Sequence, residues 1–377
     1  MPSLRNTNTL NLMKQFLSSF TFFFLPLMLF DMGISGLEIG ILMSLFTVVS
    51  LFSSFPIGAI NDRLGTRHVI ITGLLLESVF FFGLFVSGSF LALLPFFICG
   101  GLGGNMIDTS IRGAVFKTLG SERKGRKLGT FQLLTSGGFG VGMVLGGLLL
   151  RAFDFSGVML LTSAAFLLLA FASYFLADTG KSRFPVSDYG TILVKRSTVV
   201  FLFPLFLFGI HWGAENTSYS LFLREVLGLD FVSSGIYMGI PIILLGVFSF
   251  WAGLKVDRGR SHRKTLFSGL LISGIGHIMM AYPVVWVSFA FRIIHEIGDA
   301  LSVIGYHLSF SKIFRTERIS GEAGAAYTIM TTGSVTGAII FGSMGAAWGY
   351  QWPFIISGVL SLFAVVLLYI QRKKADF

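Results

Sequence analysis

Gly58-Ala-Ile-Asn-Asp62-Arg63-Leu-Gly65-Thr-Arg67 is a short charged loop set between two long apolar segments. It returns as Gly253-Leu-Lys-Val-Asp257-Arg258-Gly-Arg260, followed by Arg263 and Lys264. Gly58 and Gly253 are 195 residues apart, and so are Asp62 and Asp257. A charged turn that recurs at one offset in so apolar a chain marks a doubled unit, and repeats outrank local propensity in reading a fold. The same offset carries Ser121-Glu122-Arg123 onto Thr316-Glu317-Arg318, and Gly33, Gly129, Gly138, Gly142 and Gly147 onto Gly228, Gly324, Gly333, Gly337 and Gly342. No insertion is needed between the copies, so the duplication is parallel.

The 377 residues are 54% hydrophobic and 12% charged, with a mean hydropathy of +0.81. Soluble domains carry about 25% charged residues, and a soluble core of this size could not hide so much apolar surface. The chain therefore reads as an all-α polytopic membrane protein. Its net charge of +10 could suggest nucleic acid, but the placement of the basic residues points to a membrane face instead. The single cysteine, Cys99, rules out an intrachain disulfide and gives no sign of a cysteine-based zinc site. Met1 to Leu10 is polar and lacks the pattern of a cleaved leader, so the first apolar run is read as a spanning helix.

A bilayer core needs about 20 apolar residues per helix. On that criterion twelve spans are expected, at roughly 11–31, 37–58, 68–87, 90–113, 128–150, 157–177, 199–222, 232–254, 264–281, 285–310, 322–346 and 351–371. They form a first six-helix bundle over 1–177 and a second over 199–377, joined by one long connection at 178–198. With the N-terminus inside, 24 of the 28 Lys and Arg, Lys14 among them, fall in inner segments; only Arg151 and Arg224 fall outside. That asymmetry puts both termini in the cytoplasm.

Two parallel six-helix repeats with this loop after spans 2 and 8 resemble the major facilitator superfamily, over essentially the whole chain. The family's loop reads G-x-L-x-D-R-x-G-R-[RK]; here Ile60 replaces the leucine and Thr66 the first arginine. The resemblance implies a transporter whose loop residues brace the cytoplasmic ends of the two halves in one access state. These would be Gly58, Asp62, Arg63, Gly65 and Arg67, and more loosely Gly253, Asp257 and Arg258. The plainer alternative is a basic loop that only obeys the orientation rule. Span 5 carries Gly138-x-x-x-Gly142-Met143-Val-Leu-Gly146-Gly147, similar to the exporter motif G-x-x-x-G-P-x-x-G-G with Met143 where the proline belongs. Small residues four apart also let helix backbones approach closely, so export and plain helix packing both remain open.

Charges inside an apolar span cost on the order of 3 kcal/mol each, so they are expected to face a wet cavity or one another. Asn105, Asp108 and Arg112 form one helical stripe on span 4; His211, Glu215 and Ser218 form another on span 7. Span 10 carries the broadest stripe, with Arg292, His295, Glu296, Asp299 and Tyr306. In the family, spans 1, 4, 7 and 10 line the central cavity, and span 1 adds only Gln15, Ser18, Ser19 and Thr21. Asp108 can pair with Arg112, and Glu296 with Arg292, at one turn. Asp299 and Glu215 have no basic neighbour on their own helices apart from histidines. A proton-coupled carrier needs a carboxylate that can be neutral, so Asp299 first and Glu215 second are the expected proton acceptors. The alternative is that these groups are satisfied interhelical pairs. Glu77 and His277 lie on helices that are peripheral in the family and read as interhelical contacts.

The function expected from these features is secondary active transport of a small organic solute, with a proton as coupling ion and export by antiport as one possibility. A non-transporting sensor on the same fold, an uncoupled facilitator and a lipid carrier are the alternatives. An enzyme is not expected, because the His211/Glu215 pair has no third metal ligand or nucleophile beside it. No glycine run is followed by the Lys-Ser/Thr of a phosphate-binding loop. No cofactor, metal or nucleic-acid partner is expected; the partners are a solute and membrane lipids, and the chain should act as a monomer in the plasma membrane.

Overall fold

The computed structural model describes residues 4–22, 24–120, 122–176, 178–179, 181, 189 and 196–371. Most of the expected connection at 178–198, and Thr21's side chain, lie outside that description. The described residues are helical throughout, with no strand among them. The first half holds α1 (Leu4–Phe22), α2 (Leu25–Asp31), α3 (Gly36–Leu64), α4 (Arg67–Val86), α5 (Phe90–Thr118), α6 (Lys124–Ala152) and α7 (Phe155–Ser173). The second holds α8 (Arg196–Leu221), which ends in a π turn at Phe222–Val226, then α9 (Phe231–Asp257), α10 (His262–Met280) and α11 (Val285–Ile313). After a 3-10 turn at Thr316–Arg318 come α12 (Ile319–Trp348) and α13 (Trp352–Gln371).

The offset read from the loop recurs in the helix bounds. Shifted by 195 residues, α5 (90–118) superposes on the bounds of α11 (285–313), and α4 starts where α10 starts. Local signals repeat as well. Ser35 accepts from the Glu38 amide at the start of α3, and Asp230 accepts from the Ser233 amide at the start of α9. Each side chain satisfies one of the orphan amides of a first turn. Gly33 and Gly228, just ahead of these caps, have φ of +83° and +65°, a region that only glycine enters without strain.

Nine helices among the described residues are long and apolar enough to cross a membrane. α3, α5 and α6 each run 29 residues, about 43 Å at 1.5 Å per residue, which exceeds a hydrocarbon core of about 30 Å. α1, α2, α10 and α11 fall outside the nine, and for α1 and α11 the reason is visible. α1 is interrupted by Asn6, Asn8, Asn11, Lys14 and Gln15, and α11 carries Arg292, Glu296 and Asp299 in its middle.

The chain separates into two compact units. The first comprises Met1–Thr118, Gly138–Arg183 and Glu317–Ala325; the second comprises Leu119–Gly137, Phe184–Thr316 and Ala326–Phe377. In the first, the glycines of α6 lie on the backbone of α1: a Cβ at Gly138 or Gly142 would sit 2.6 Å from the carbonyl of Leu12 or Phe16. In the second unit, Gly333 and Gly337 of α12 press in the same way on the carbonyls of Phe206 and Ile210 in α8. Small residues four apart permit such close helix crossings. Gly146 and Gly147 are also buried.

Candidate functional site

The two signature loops do the same physical job at different depths. In the first unit Asp62 is fully buried; its Oδ2 accepts from the Gly321 amide at 2.8 Å, and its Oδ1 lies 2.9 Å from Lys117 Nζ. In the second unit Asp257 is exposed, and its two oxygens accept from the amides of Gly125 and Arg126 at 2.8 and 2.7 Å. Both carboxylates therefore cap the first turn of a helix, α12 and α6 respectively, where unpaired amides and the helix dipole favour an anion. Gly58 is pressed on the Ser320 carbonyl, and Gly253 on the Gly125 carbonyl. Gly65 takes φ +87°, and the next turn is closed by Asp178, which accepts from the Arg67 amide at 3.1 Å. Arg63 and Arg258 are exposed.

In the first unit, Asp108 meets α1. Lys14 Nζ lies 2.8 Å from its Oδ1, and Gln15 Nε2 donates to the same oxygen at 3.3 Å. Lys14, counted among the N-terminal basic residues, lies on a buried face of α1, and Asp108 is engaged across helices, in line with the interhelical alternative. A single-helix pattern shows only neighbours one turn away and cannot show these partners. Arg112 is half-buried one turn further along α5. Asn105 ties α5 to α3, donating to the Ser50 carbonyl at 3.0 Å and to Ser53 Oγ at 2.7 Å. Lys14, Gln15, Glu77, Asn105 and Asp108 line a cavity of about 270 Å³ with several phenylalanines. Glu77, from α4, is buried there.

The second unit holds the larger polar cluster, built by α8, α10 and α11. Arg292 is 1% exposed. Its Nη1 lies 2.6 Å from Glu215 Oε1, its Nη2 binds Glu296, and its guanidinium lies 4.6 Å from the centre of the Tyr219 ring. Glu215 Oε1 also meets His295 Nε2 at 3.0 Å. Asp299 accepts from Ser273 Oγ at 2.6 Å and from Trp212 Nε1 at 3.3 Å, with His295 Nε2 3.8 Å away. Tyr306 is buried against the rings of Phe201 and Phe208. Glu215 thus has a basic partner that its own helix does not supply.

His277 of α10 also joins this cluster. Its ring centre lies 3.9 Å from that of His211 and 4.6 Å from that of His295. The expectation that His211 and Glu215 lack a third ligand-type side chain beside them therefore does not hold. Lys14, Glu77, His277, Ser273 and Tyr219 are the site residues that stripe-reading leaves out. The signal for His277 and Glu77 was present, since each is an ionisable side chain in an apolar helix. The family's helix positions argued against using it.

The repeat shows where the chemistry of the units parted. Arg292, Glu296 and Asp299 correspond by the offset to Phe97, Gly101 and Gly104. In the first unit Phe97 packs edge-on against Phe80, and a Cβ at Gly101 would sit 2.5 Å from the Phe46 carbonyl. One helix frame serves apolar close packing in one copy and a buried charge cluster in the other.

A duplicated set of long apolar helices with buried ion clusters is the architecture of an integral membrane transporter. The model of the Major Facilitator Superfamily matches residues 9–263 and 246–376, and the chain belongs to that family. It is 24% identical over 364 residues to the quinolone resistance protein NorA of Staphylococcus aureus (strain Mu50), covering 93% of this chain and 91% of NorA. It is 24% identical over 329 residues to the multidrug resistance protein MdtH of Aeromonas salmonicida, covering 82% of this chain and 80% of MdtH. The structure of the human organic anion transporter MFSD10 superposes with a TM-score of 0.75 at 17% identity, covering 98% of this chain and all of that one. At that identity the superposition speaks for the fold alone.

Proposed function

We propose that this transporter exports a small organic solute by proton-coupled antiport, working by alternating access from the plasma membrane as a monomer among lipids. In this reading it has twelve spans, as six-helix bundles over 1–177 and 199–377, with both termini cytoplasmic. The observation that carries the reading is the cluster of half-buried Glu215 with buried Arg292, His295, Glu296 and Asp299, set among apolar helices. An ion group of that kind is costly to maintain in a bilayer and is of use to a carrier that takes up and releases charge. Asp299 is the first candidate for the coupling proton and Glu215 the second. Asp299 is 3% exposed, lies beside an imidazole that can pass a proton on, and already receives two hydrogen bonds that hold it in place. Resistance to quinolones and to multiple drugs in the names of two relatives supports export of an organic solute.

The reading is tested in everted vesicles given a quinolone and an imposed proton gradient. Gradient-driven accumulation that disappears in Asp299→Asn, with normal amounts of folded protein, supports it. Undiminished proton-driven accumulation in that variant removes Asp299 from the coupling role. Equal uptake with and without the gradient points to a facilitator.

A further inference from the structure

From the geometry of α8, α10 and α11 we infer a binding site for one transition-metal dication of the zinc class, with His211, Glu215, His277 and His295 as its ligands. One ligand-type atom from each of the four lies within 4.8 Å of all the others. A tetrahedral site with metal–nitrogen bonds of about 2.0–2.1 Å has ligand atoms about 3.3–3.4 Å apart. Two of the distances here already bracket that value: Glu215 Oε1 lies 3.0 Å from His295 Nε2 and 3.8 Å from His277 Nδ1. Small rotations of buried rings bring in the rest. Three imidazoles and one carboxylate suit zinc, cobalt, nickel or copper, and not calcium or magnesium, which prefer all-oxygen shells.

Three further observations point to an ion. The imidazoles of His211 and His277 are fully buried, yet neither ring has a hydrogen-bond partner on either nitrogen among the described residues. A buried polar group left without a partner destabilises the fold, so two adjacent ones are an expensive arrangement without a ligand. His295 is oriented as metal-bound histidines usually are. Its Nδ1 lies 3.1 Å from the Ser273 carbonyl, which can only accept, and its Nε2 faces the cluster, where it gives Glu215 a hydrogen that a bound metal ion would displace. The formal charges also favour a dication: Glu215, Glu296 and Asp299 contribute three negative charges against the one positive charge of Arg292. The ion takes Glu215 Oε1 from Arg292, and Arg292 keeps Glu296. Metal binding at this site does not depend on the transport reading above.

The test uses the full-length protein in detergent, stripped with chelator and dialysed against Zn²⁺, with bound metal counted by mass spectrometry. A parallel titration with Co²⁺ reads tetrahedral coordination from its visible absorption. The expected result is one saturable equivalent per chain, insensitive to excess Mg²⁺ or Ca²⁺. His211→Ala and His277→Ala should each weaken it at least about 100-fold. His68→Ala, at an exposed histidine outside the cluster, should leave it unchanged. If His211→Ala does not fold, Glu215→Gln serves in its place. Absence of saturable binding, or an equivalent retained in both the His277 and Glu215 variants, overturns the site.

Discussion

Lys14 Nζ lies 2.8 Å from Asp108 Oδ1, bridging α1 and α5 within the first unit, with side-chain exposures of 6% and 28%. Removing one partner of a buried pair leaves an uncompensated charge and costs about 3–5 kcal/mol. Because the carboxylate is more than a quarter exposed, Lys14→Met should cost less, about 2–3 kcal/mol. The double variant Lys14→Met/Asp108→Leu should recover to within about 1 kcal/mol of the parent, since apolar replacement of a whole pair is often neutral. Unfolding in mixed micelles measures both. Equal losses in the single and double variants would show that the two side chains are not energetically coupled.

Asp62 and Asp257 occupy the same place in the repeat but should differ in weight. Asp257 is exposed and caps Gly125 and Arg126, so Asp257→Ala should cost about 1–2 kcal/mol, the range for losing a helix cap and its dipole interaction. Asp62 is fully buried and also pairs with Lys117, so Asp62→Ala should cost about 3–5 kcal/mol. Melting temperatures should rank the parent first, Asp257→Ala second and Asp62→Ala last. The reverse order for the two variants would contradict the difference in burial.

Gly125 and Gly253 meet backbone to backbone in the second unit: a Cβ at Gly253 would lie 2.7 Å from the Gly125 carbonyl carbon. No flexible side chain stands there to move aside, so Gly253→Ala must push α6 from α9. Overpacking of this kind costs about 1–3 kcal/mol. The same displacement lengthens the Asp257 cap, so Gly253→Ala and Asp257→Ala should be less than additive. Gly137, inside α6, is the control. A Cβ there meets nothing within 4 Å, and Gly137→Ala should stabilise by about 0.5–1 kcal/mol. Strict additivity of the first two variants would separate the cap from the glycine contact.

The repeat was legible because several helix boundaries carry chemistry that survives duplication: the loop aspartates, Ser35 and Asp230 as caps, and Gly33 and Gly228 at positive φ. The stripes on α8 and α11 were legible because helical periodicity puts Glu296 one turn from Arg292, and His295 one turn from Asp299. What periodicity cannot carry is the register between helices. Glu215 meets Arg292, and Lys14 meets Asp108, only where two different helices cross. Those crossings depend on which face of each helix turns inward. Lys14 shows the cost most plainly: counted as one more basic residue near a terminus, it served the orientation rule and concealed a buried pair.

Arg292 holds Glu215 with Nη1 and Glu296 with Nη2, while its face rests on Tyr219. A lysine cannot reproduce this, because its ammonium has no planar fork to divide between two carboxylates and no flat face to lay on a ring. Arg292→Lys should therefore lose most transport even where it folds, and Arg292→Ala should cost about 3 kcal/mol by leaving buried Glu296 and half-buried Glu215 without their cation. Adding Glu296→Gln to Arg292→Ala removes one of those charges and should recover part of the stability without restoring transport. Melting in detergent and vesicle uptake, measured on the same preparations, separate the two effects. If Arg292→Lys transports as well as the parent, a single positive charge is enough, and the two-armed clamp is not needed for the transport cycle.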